Sequence, residues 1–289
     1  MKVITDSAAD LTSAEIQTLG IAVAPLYINF PAGTVSATDI SADIFYERLE
    51  ALAPRVPTTS QPSQGTFSDI FNDLAKAGEE LLAVHISSGL SGTYQASLLA
   101  SRQITQVPIS VIDSLTLSGG QRFQVLAAAA AARAGWAMVN VRDILKRMQQ
   151  HTEVVYTLDT RDYLARGGRI GRVEALAGGL LRIKPVINVN RTDGKYSTVS
   201  KARTLQRAET AIVDHLARLY GDTPVWVSIM HGRFAAHADE LAAQVAVRLK
   251  CAKIEILRIS PVLGVHTGPG IVGAAVIPMS LMTEAGCTA

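Results

Sequence analysis

Cysteine is nearly missing from this 289-residue chain: only Cys251 and Cys287 occur, and neither sits in a ligand-spaced cluster. That argues against a disulfide framework or a structural zinc site, and it suits a reducing cytoplasm. An excess of either charge is missing too. With 27 Lys and Arg against 25 Asp and Glu, the net charge of +2 leaves no basic footprint for nucleic acid. Long apolar runs are also absent. The longest, Val125 to Ala132, is mostly alanine, stops at Arg133 and is too short to cross a bilayer. The start, Met1 to Ser7, passes from a short apolar strand straight into polar residues and offers no signal-peptide core. The chain shows no internal repeat, no low-complexity linker and no P-loop lysine motif. The expectation is a soluble cytoplasmic protein that uses no metal and no cofactor.

What is present is an apolar body, 48% hydrophobic and 18% charged, long enough for two domains. The excess of apolar residues reflects either a lined cavity or alanine-rich helices. In the first half, strand patterns at Val3-Ile4, Ala22 to Ile28, Leu81 to Ile86 and Ile109 to Ile112 alternate with helical patterns. These helices lie near Ser13 to Thr18, Ala42 to Ala51, Gln64 to Ala77, Thr93 to Ile104 and Gly119 to Ala134. Such alternation predicts an α/β fold with a parallel, Rossmann-like sheet covered on both faces. A helix over Val139 to Gln150 leads to a second α/β unit. Its strands are Val154 to Leu158, Pro185 to Val189, Tyr196 to Val199, Pro224 to Met230, Lys253 to Ile259 and Gly273 to Ile277; its helices are Ala202 to Tyr220 and Ala235 to Leu249. A hairpin signal at Arg191 to Lys195 makes that second sheet mixed. The division falls at 1–152 and 153–289. The apolar stretch Ile271 to Met282 reads as a buried helix running into a strand.

Two hydroxyl-rich loops stand out, Thr58-Thr59-Ser60-Gln61-Pro62-Ser63 and Ser87-Ser88-Gly89-Leu90-Ser91-Gly92-Thr93, each preceding a helical pattern. Their hydroxyls fall at or near capping positions, and free N–H groups at helix starts attract a carboxylate or phosphate. Together they predict one anion site; capping alone is the alternative. With Thr5-Asp6-Ser7 and Asp113-Ser114, the second loop gathers at the carboxyl edge of a parallel sheet, where ligands bind.

Six blocks carry a resemblance across nearly the whole chain: Ile4 to Leu11, Thr59 to Ser63, Ile86 to Tyr94, Val111 to Ser114, Tyr163 to Ile170 and Gly264 to Gly270. In this order they closely resemble the DegV family. The resemblance implies a two-domain α/β protein that holds one long-chain fatty acid, such as palmitate, in a tunnel between or adjoining the domains. It implies a carrier rather than an enzyme: the fatty-acid-binding subunit of bacterial fatty acid kinase, whose separate ATP-binding subunit phosphorylates the carboxylate. It also implies that Thr59, Ser91 and His266 bind the carboxylate and that Arg169 is a secondary head-group or kinase-facing residue; Ser60, Gly92 and, from its place after a strand pattern, Arg203 are further secondary candidates.

That chemistry is coherent, because a hydroxyl donates to a carboxylate without the grip of a permanent counter-ion. Arg166 and Arg169 flank Gly167-Gly168, a turn suited to presenting both guanidinium groups, unless both are solvated loop residues. Lys201 and Arg203 have a helix-start surface role as their alternative. Gly268-Pro269-Gly270-Ile271-Val272-Gly273 formally fits a dinucleotide fingerprint but lies too near the C-terminus for a following βαβ unit. His231 and His237 lack the spacing of a helical metal pair and read as surface or structural. Two other functions stay open: a serine hydrolase of acyl esters with Ser91 as nucleophile and His266 as base, and a lipid-sensing protein without kinase coupling.

Overall fold

The computed structural model describes residues 1–170 and 183–288. Its strands in the first half are β1 (Lys2–Asp6), β2 (Ala22–Ala24), β3 (Tyr27–Phe30), β4 (Gly33–Ser36), β5 (Thr58–Ser60), β6 (Leu81–His85) and β7 (Ile109–Asp113). They are joined by α1 (Ser13–Leu19), α2 (Ala42–Ala51), α3 (Gln64–Ala75) and α4 (Thr93–Ser101), and followed by α5 (Ser118–Arg133) and α6 (Met138–His151). The second half contains β8 (Glu153–Leu158), α7 (Asp162–Arg166), β9 (Lys184–Val189), β10 (Tyr196–Ala202), α8 (Leu205–Tyr220) and β11 (Val225–His231). It ends with α9 (Ala235–Arg248), β12 (Cys251–Arg258), α10 (Pro261–Thr267), β13 (Ile271–Pro278) and α11 (Met279–Glu284).

A parallel sheet of order β2-β1-β6-β7 forms the first layer. Its middle strand β6 is buried throughout, as a strand covered on both faces must be. Strand alternation assigns the faces: Ile4, Leu81 and Ala83 pack with Phe67 and Phe71 of α3, whereas Val3, Leu82 and Val84 join the core that contains α5. The second sheet has the order β10-β9-β8-β13-β11-β12, parallel only between β11 and β12. Val155, Val227 and Ala274 turn one face to α8 and α9, while Val154, Met230 and Ala275 turn the other to α5.

The alanine-rich helix α5 therefore lies between two sheets, which explains its composition. A Cβ on Gly119 would lie 2.7 Å from Ala275 Cβ, and one on Gly120 would lie 2.6 Å from Val154 Cγ2, so these two positions must be bare. Small residues let both sheets approach closely.

Three expectations change. The pattern from Ala22 to Ile28 divides at Pro25: β2 stays in the parallel sheet, while β3 joins a separate antiparallel sheet of order β4-β3-β5. Proline has no N–H to continue a ladder. The stretch Ile271 to Met282 runs in the reverse order, strand β13 into helix α11, because the buried run pairs with β8 and β11 before Pro278 closes it. Helix α8 starts at Leu205, capped by Thr204, and β10 reaches Ala202. Among the described residues no helix is long and apolar enough to cross a membrane.

Candidate functional site

Thr58 to Ser60 forms strand β5, paired with β3 through Ile28 and Thr59, so Thr59 is presented by a strand and not by a helix cap. The cap of α3 is Ser63, whose hydroxyl accepts from Thr66 N–H. Alternation along β5 sends Thr58 and Ser60 to the exposed side, where Asn29 Nδ2 lies 3.4 and 3.5 Å from their hydroxyls. Thr59 points the other way. Its Oγ1 lies 2.8 Å from Nε2 of His266, 207 residues further along the chain.

His266 belongs to α10, which begins with Pro261 in the first turn and is buried at every residue. Burial, reinforced by the charge of Arg169, pushes the imidazole pKa down to about 4, so the ring is neutral at pH 7. Nδ1 is buried and has no partner among the described residues. Gly167 covers it so closely that a Cβ there would collide with Nδ1. An orphaned buried N–H is rarer than an orphaned acceptor, so hydrogen bonding assigns the proton to Nε2. Nε2–H then donates to Thr59 Oγ1, which leaves the threonine O–H free to donate to a ligand.

The second loop is held from below. Ser87 is buried, donates to Gly194 O at 2.8 Å, and its carbonyl accepts from Leu90 and Ser91 N–H at 3.0 Å each. Gly194 has φ +63 in the hairpin between β9 and β10, and a Cβ there would collide with Ser87 Oγ. The predicted hairpin thus docks on the predicted loop. Ser91 Oγ shares a 2.8 Å hydrogen bond with Thr93 Oγ1 and accepts weakly from Thr93 N–H at 3.3 Å. Gly92 caps α4 without a side chain. Among the described residues nothing accepts from the N–H groups of Gly92, Tyr94 and Gln95, leaving the positive end of α4 free for an anion. Gln61 presses against Gly92, where a Cβ would collide with its Oε1, and so joins the two loops.

Arg169 is half-buried, donates to Gly167 O at 2.7 Å and acts on His266 through its charge. Arg166 is exposed and donates to Pro54 O. Lys201 is exposed at the end of β10, and Arg203 is exposed between β10 and α8 without a hydrogen bond or ion pair to any described residue. The structure therefore joins Thr59, His266 and Arg169, ties Gly92 to the first loop through Gln61, turns Ser60 to the opposite face of β5 from Thr59, and leaves Arg203 exposed. Sequence reasoning gave Gln61 and Gly167 no role of their own. The only signal was their position inside the two blocks that carry Thr59 and Arg169.

Next to His266, Leu263 and Thr267 of α10 help to line a narrow apolar cavity of about 20 Å³, room for little more than one water molecule. Tyr156, Tyr196, Met230 and Leu117 close around it. The two tyrosine rings meet edge-on at 5.8 Å, and burial pushes both phenol pKa values up, that of Tyr196 to about 12. The cavity therefore carries no charge from its phenols.

Other motifs resolve as structure. The glycines from Gly268 open strand β13 and not a helix, so the dinucleotide fingerprint has no context. His231 Nδ1 accepts from Phe234 N–H at 3.3 Å, and His237 Nδ1 meets Glu209 Oε1 at 2.6 Å between α8 and α9. Glu240 Oε2 lies 4.0 Å from the same nitrogen.

Known proteins resemble this chain in sequence and in fold. A family model described as an uncharacterised protein of the DegV family matches residues 1–279. A DegV domain-containing protein of Deinococcus radiodurans is 36% identical over 281 residues, covering 96% of this chain and 95% of its own. Among solved structures, a DegV family protein of Thermus thermophilus, described by its fatty acid binding, superposes with a TM-score of 0.89 at 28% identity, covering 96% of this chain and 99% of its own. A DegV lipid-binding protein of Thermotoga maritima gives a TM-score of 0.86 at 26% identity, covering 96% and 98%. By sequence and by fold, this chain belongs to the DegV family.

Proposed function

We propose that this chain binds one long-chain fatty acid, with the carboxylate on Thr59 and the start of α4 and the tail buried in the apolar interior, and presents it to an ATP-dependent kinase subunit. The observation that carries the reading is the Thr59–His266 pair, in which a neutral, buried histidine frees the hydroxyl proton of Thr59 for an anion. The neutral ring suits a carrier: it orients Thr59 without adding the positive charge that would hold a carboxylate against transfer. Ser91 and the uncapped N–H groups of α4 supply further donors. Burying an acyl tail gains about 0.8 kcal/mol per methylene, so a chain of about 16 carbons gains on the order of 12 kcal/mol before ordering costs. The tail supplies affinity and the head group supplies orientation. Having no P-loop lysine motif, the chain relies on its partner for ATP.

A serine hydrolase is less well supported, because the hydroxyl against His266 is that of Thr59, while Ser91 pairs with Thr93. The test is native mass spectrometry of the purified protein, followed by denaturing extraction. One equivalent of intact long-chain fatty acid is expected; an empty protein or a bound nucleotide would overturn the reading. Acyl phosphate formed on adding a kinase subunit and ATP then checks the coupling.

A further inference from the structure

Helices α8 and α9 cover the face of the second sheet opposite α5, and a polar cluster joins them. Glu209 of α8 is fully buried, yet only its Oε1 is engaged, 2.6 Å from Nδ1 of His237 on α9; Oε2 is buried with no hydrogen-bond partner among the described residues. Glu240 follows His237 at i+3, on the same side of α9, and brings Oε2 to 4.0 Å from that nitrogen. One ligand atom from each of the three side chains lies within 4.8 Å of the other two. The Phe234 ring packs on the imidazole with centroids 4.3 Å apart, which fixes its orientation. An ion pair alone does not account for this arrangement. Glu153 shows a completed one: its Oε1 accepts from Asn188 at 2.9 Å and meets His215 Nε2 at 2.8 Å, and its Oε2 accepts from Arg191 at 2.8 Å. There the histidine is one partner of a saturated carboxylate. At Glu209 half of a buried carboxylate is left over, and a second carboxylate stands beside the same nitrogen. A buried unpaired oxygen is costly, and a cation shared by the three groups is what satisfies it.

We propose that Glu209, His237 and Glu240 form a site for one divalent ion of the zinc class, with water as the fourth ligand, that ties α8 to α9. Tetrahedral zinc, with bonds of about 2.0–2.1 Å, holds its nitrogen and oxygen ligands about 3.3 Å apart. The distances from Nδ1 to the two carboxylates, 2.6 and 4.0 Å, lie on either side of that separation, so sub-ångström shifts of the side chains complete the site. One imidazole with two carboxylates suits zinc, whereas magnesium and calcium need more oxygen ligands than the three groups supply. The ion takes the lone pair of Nδ1, whose proton passes to Nε2, a nitrogen with no partner among the described residues. The local sequence pattern conceals the site, because only His237 and Glu240 share a helix and Glu209 arrives from another. The site lies across the sheet from the core that holds α5 and α10, and so does not depend on the fatty acid reading.

The experiment titrates the full chain, freed of any affinity tag and stripped of metal by a chelator, with Zn²⁺ by calorimetry. One equivalent is expected to bind and to raise the thermal unfolding midpoint, since an ion that binds only the folded chain stabilises it. Glu209→Gln and His237→Ala are each expected to weaken binding about tenfold or more, because losing even an outer-shell partner of a metal ligand costs about that much, and to abolish the rise in midpoint. Glu240→Gln, at an exposed position, reads the same loss if those variants do not fold. His151→Ala, exposed at the end of α6, is expected to bind Zn²⁺ as the wild type does. A wild-type protein that binds no Zn²⁺, variants of the three ligands that bind it unchanged, or a loss on His151→Ala would each overturn the proposal.

Discussion

Two histidines in this molecule each hold a hydroxyl at 2.8 Å, and their surroundings differ. His85, at the end of β6, meets Asp6 Oδ2 through Nδ1 at 3.1 Å and Ser97 Oγ through Nε2. Asp6 also accepts from Ala8 and Ile86 N–H, and all three side chains are buried. In connectivity this is a serine–histidine–aspartate chain, yet no substrate reaches it. It fastens β1 to β6 and α4. Among the described residues His266 has one partner and one orphaned nitrogen, and its neighbour Thr267 lines a small apolar cavity. A hydrogen-bond pattern alone therefore does not mark a site. What marks it is a polar group with a spare proton.

The contrast is broken most severely at His85. His85→Ala strands a buried carboxylate and a hydroxyl and is expected to cost about 3–5 kcal/mol of stability. Urea unfolding measures the loss, while the lipid content of the molecules that stay folded is expected to be unchanged. A stability change below about 1 kcal/mol would remove the structural assignment.

His266 should show the opposite sensitivity, to pH. Its folded pKa of about 4 lies below the ordinary value of 6.5, so between these values the unfolded chain binds more protons. Stability from the neutral ring is complete above pH 6.5 and is lost as the pH falls through 4, at most about 3 kcal/mol. Asp10 opposes it, since burial raises that carboxyl to about 6 and its protonation favours the fold on acidification. Imidazole NMR separates the two: a His266 midpoint near 6.5 would show that the ring is solvated.

Thr59→Val keeps the shape of the side chain and removes its proton. A hydrogen bond to a charged group is worth about 1.5–3 kcal/mol, so fatty acid affinity is expected to fall roughly 10- to 100-fold, with a stability loss of about 1–3 kcal/mol because His266 Nε2–H loses its acceptor. Fluorescent fatty acid displacement measures it, and unchanged affinity would exclude Thr59 from the head group.

How far the sequence discloses this arrangement depends on the range of the interactions. β6 is legible because five successive buried residues need no partner to be recognised as a central strand. The α5 run is legible as a helix, though not as the filling between two sheets. β5 is illegible: Thr58 to Ser60 is short, polar and set between Pro57 and Pro62, and only its pairing with β3 makes it a strand. The tie between Gln61 and Gly92 and the cover of Gly167 over His266 are likewise contacts between distant segments, which local pattern does not encode. The resemblance gave Thr59 and His266 without geometry; the fold makes them partners and turns Ser60 away.

The finest test separates holding the lipid from delivering it. Arg169 reaches the site through charge, as the second cause after burial of the low His266 pKa, and its guanidinium is anchored on Gly167 O. Arg169→Gln removes the charge while keeping a donor of similar reach. The His266 midpoint should then move upward, by less than burial has moved it down, because the larger cause remains. If Thr59 and the α4 N–H groups hold the carboxylate, as proposed, retained lipid should be unchanged, whereas phosphorylation by an added kinase subunit should fall. His266→Ala should likewise lower phosphorylation more than lipid retention. If Arg169→Gln instead empties the protein of lipid, the arginine belongs with Thr59 among the groups that bind the head group, and the division between holding and presenting the carboxylate fails.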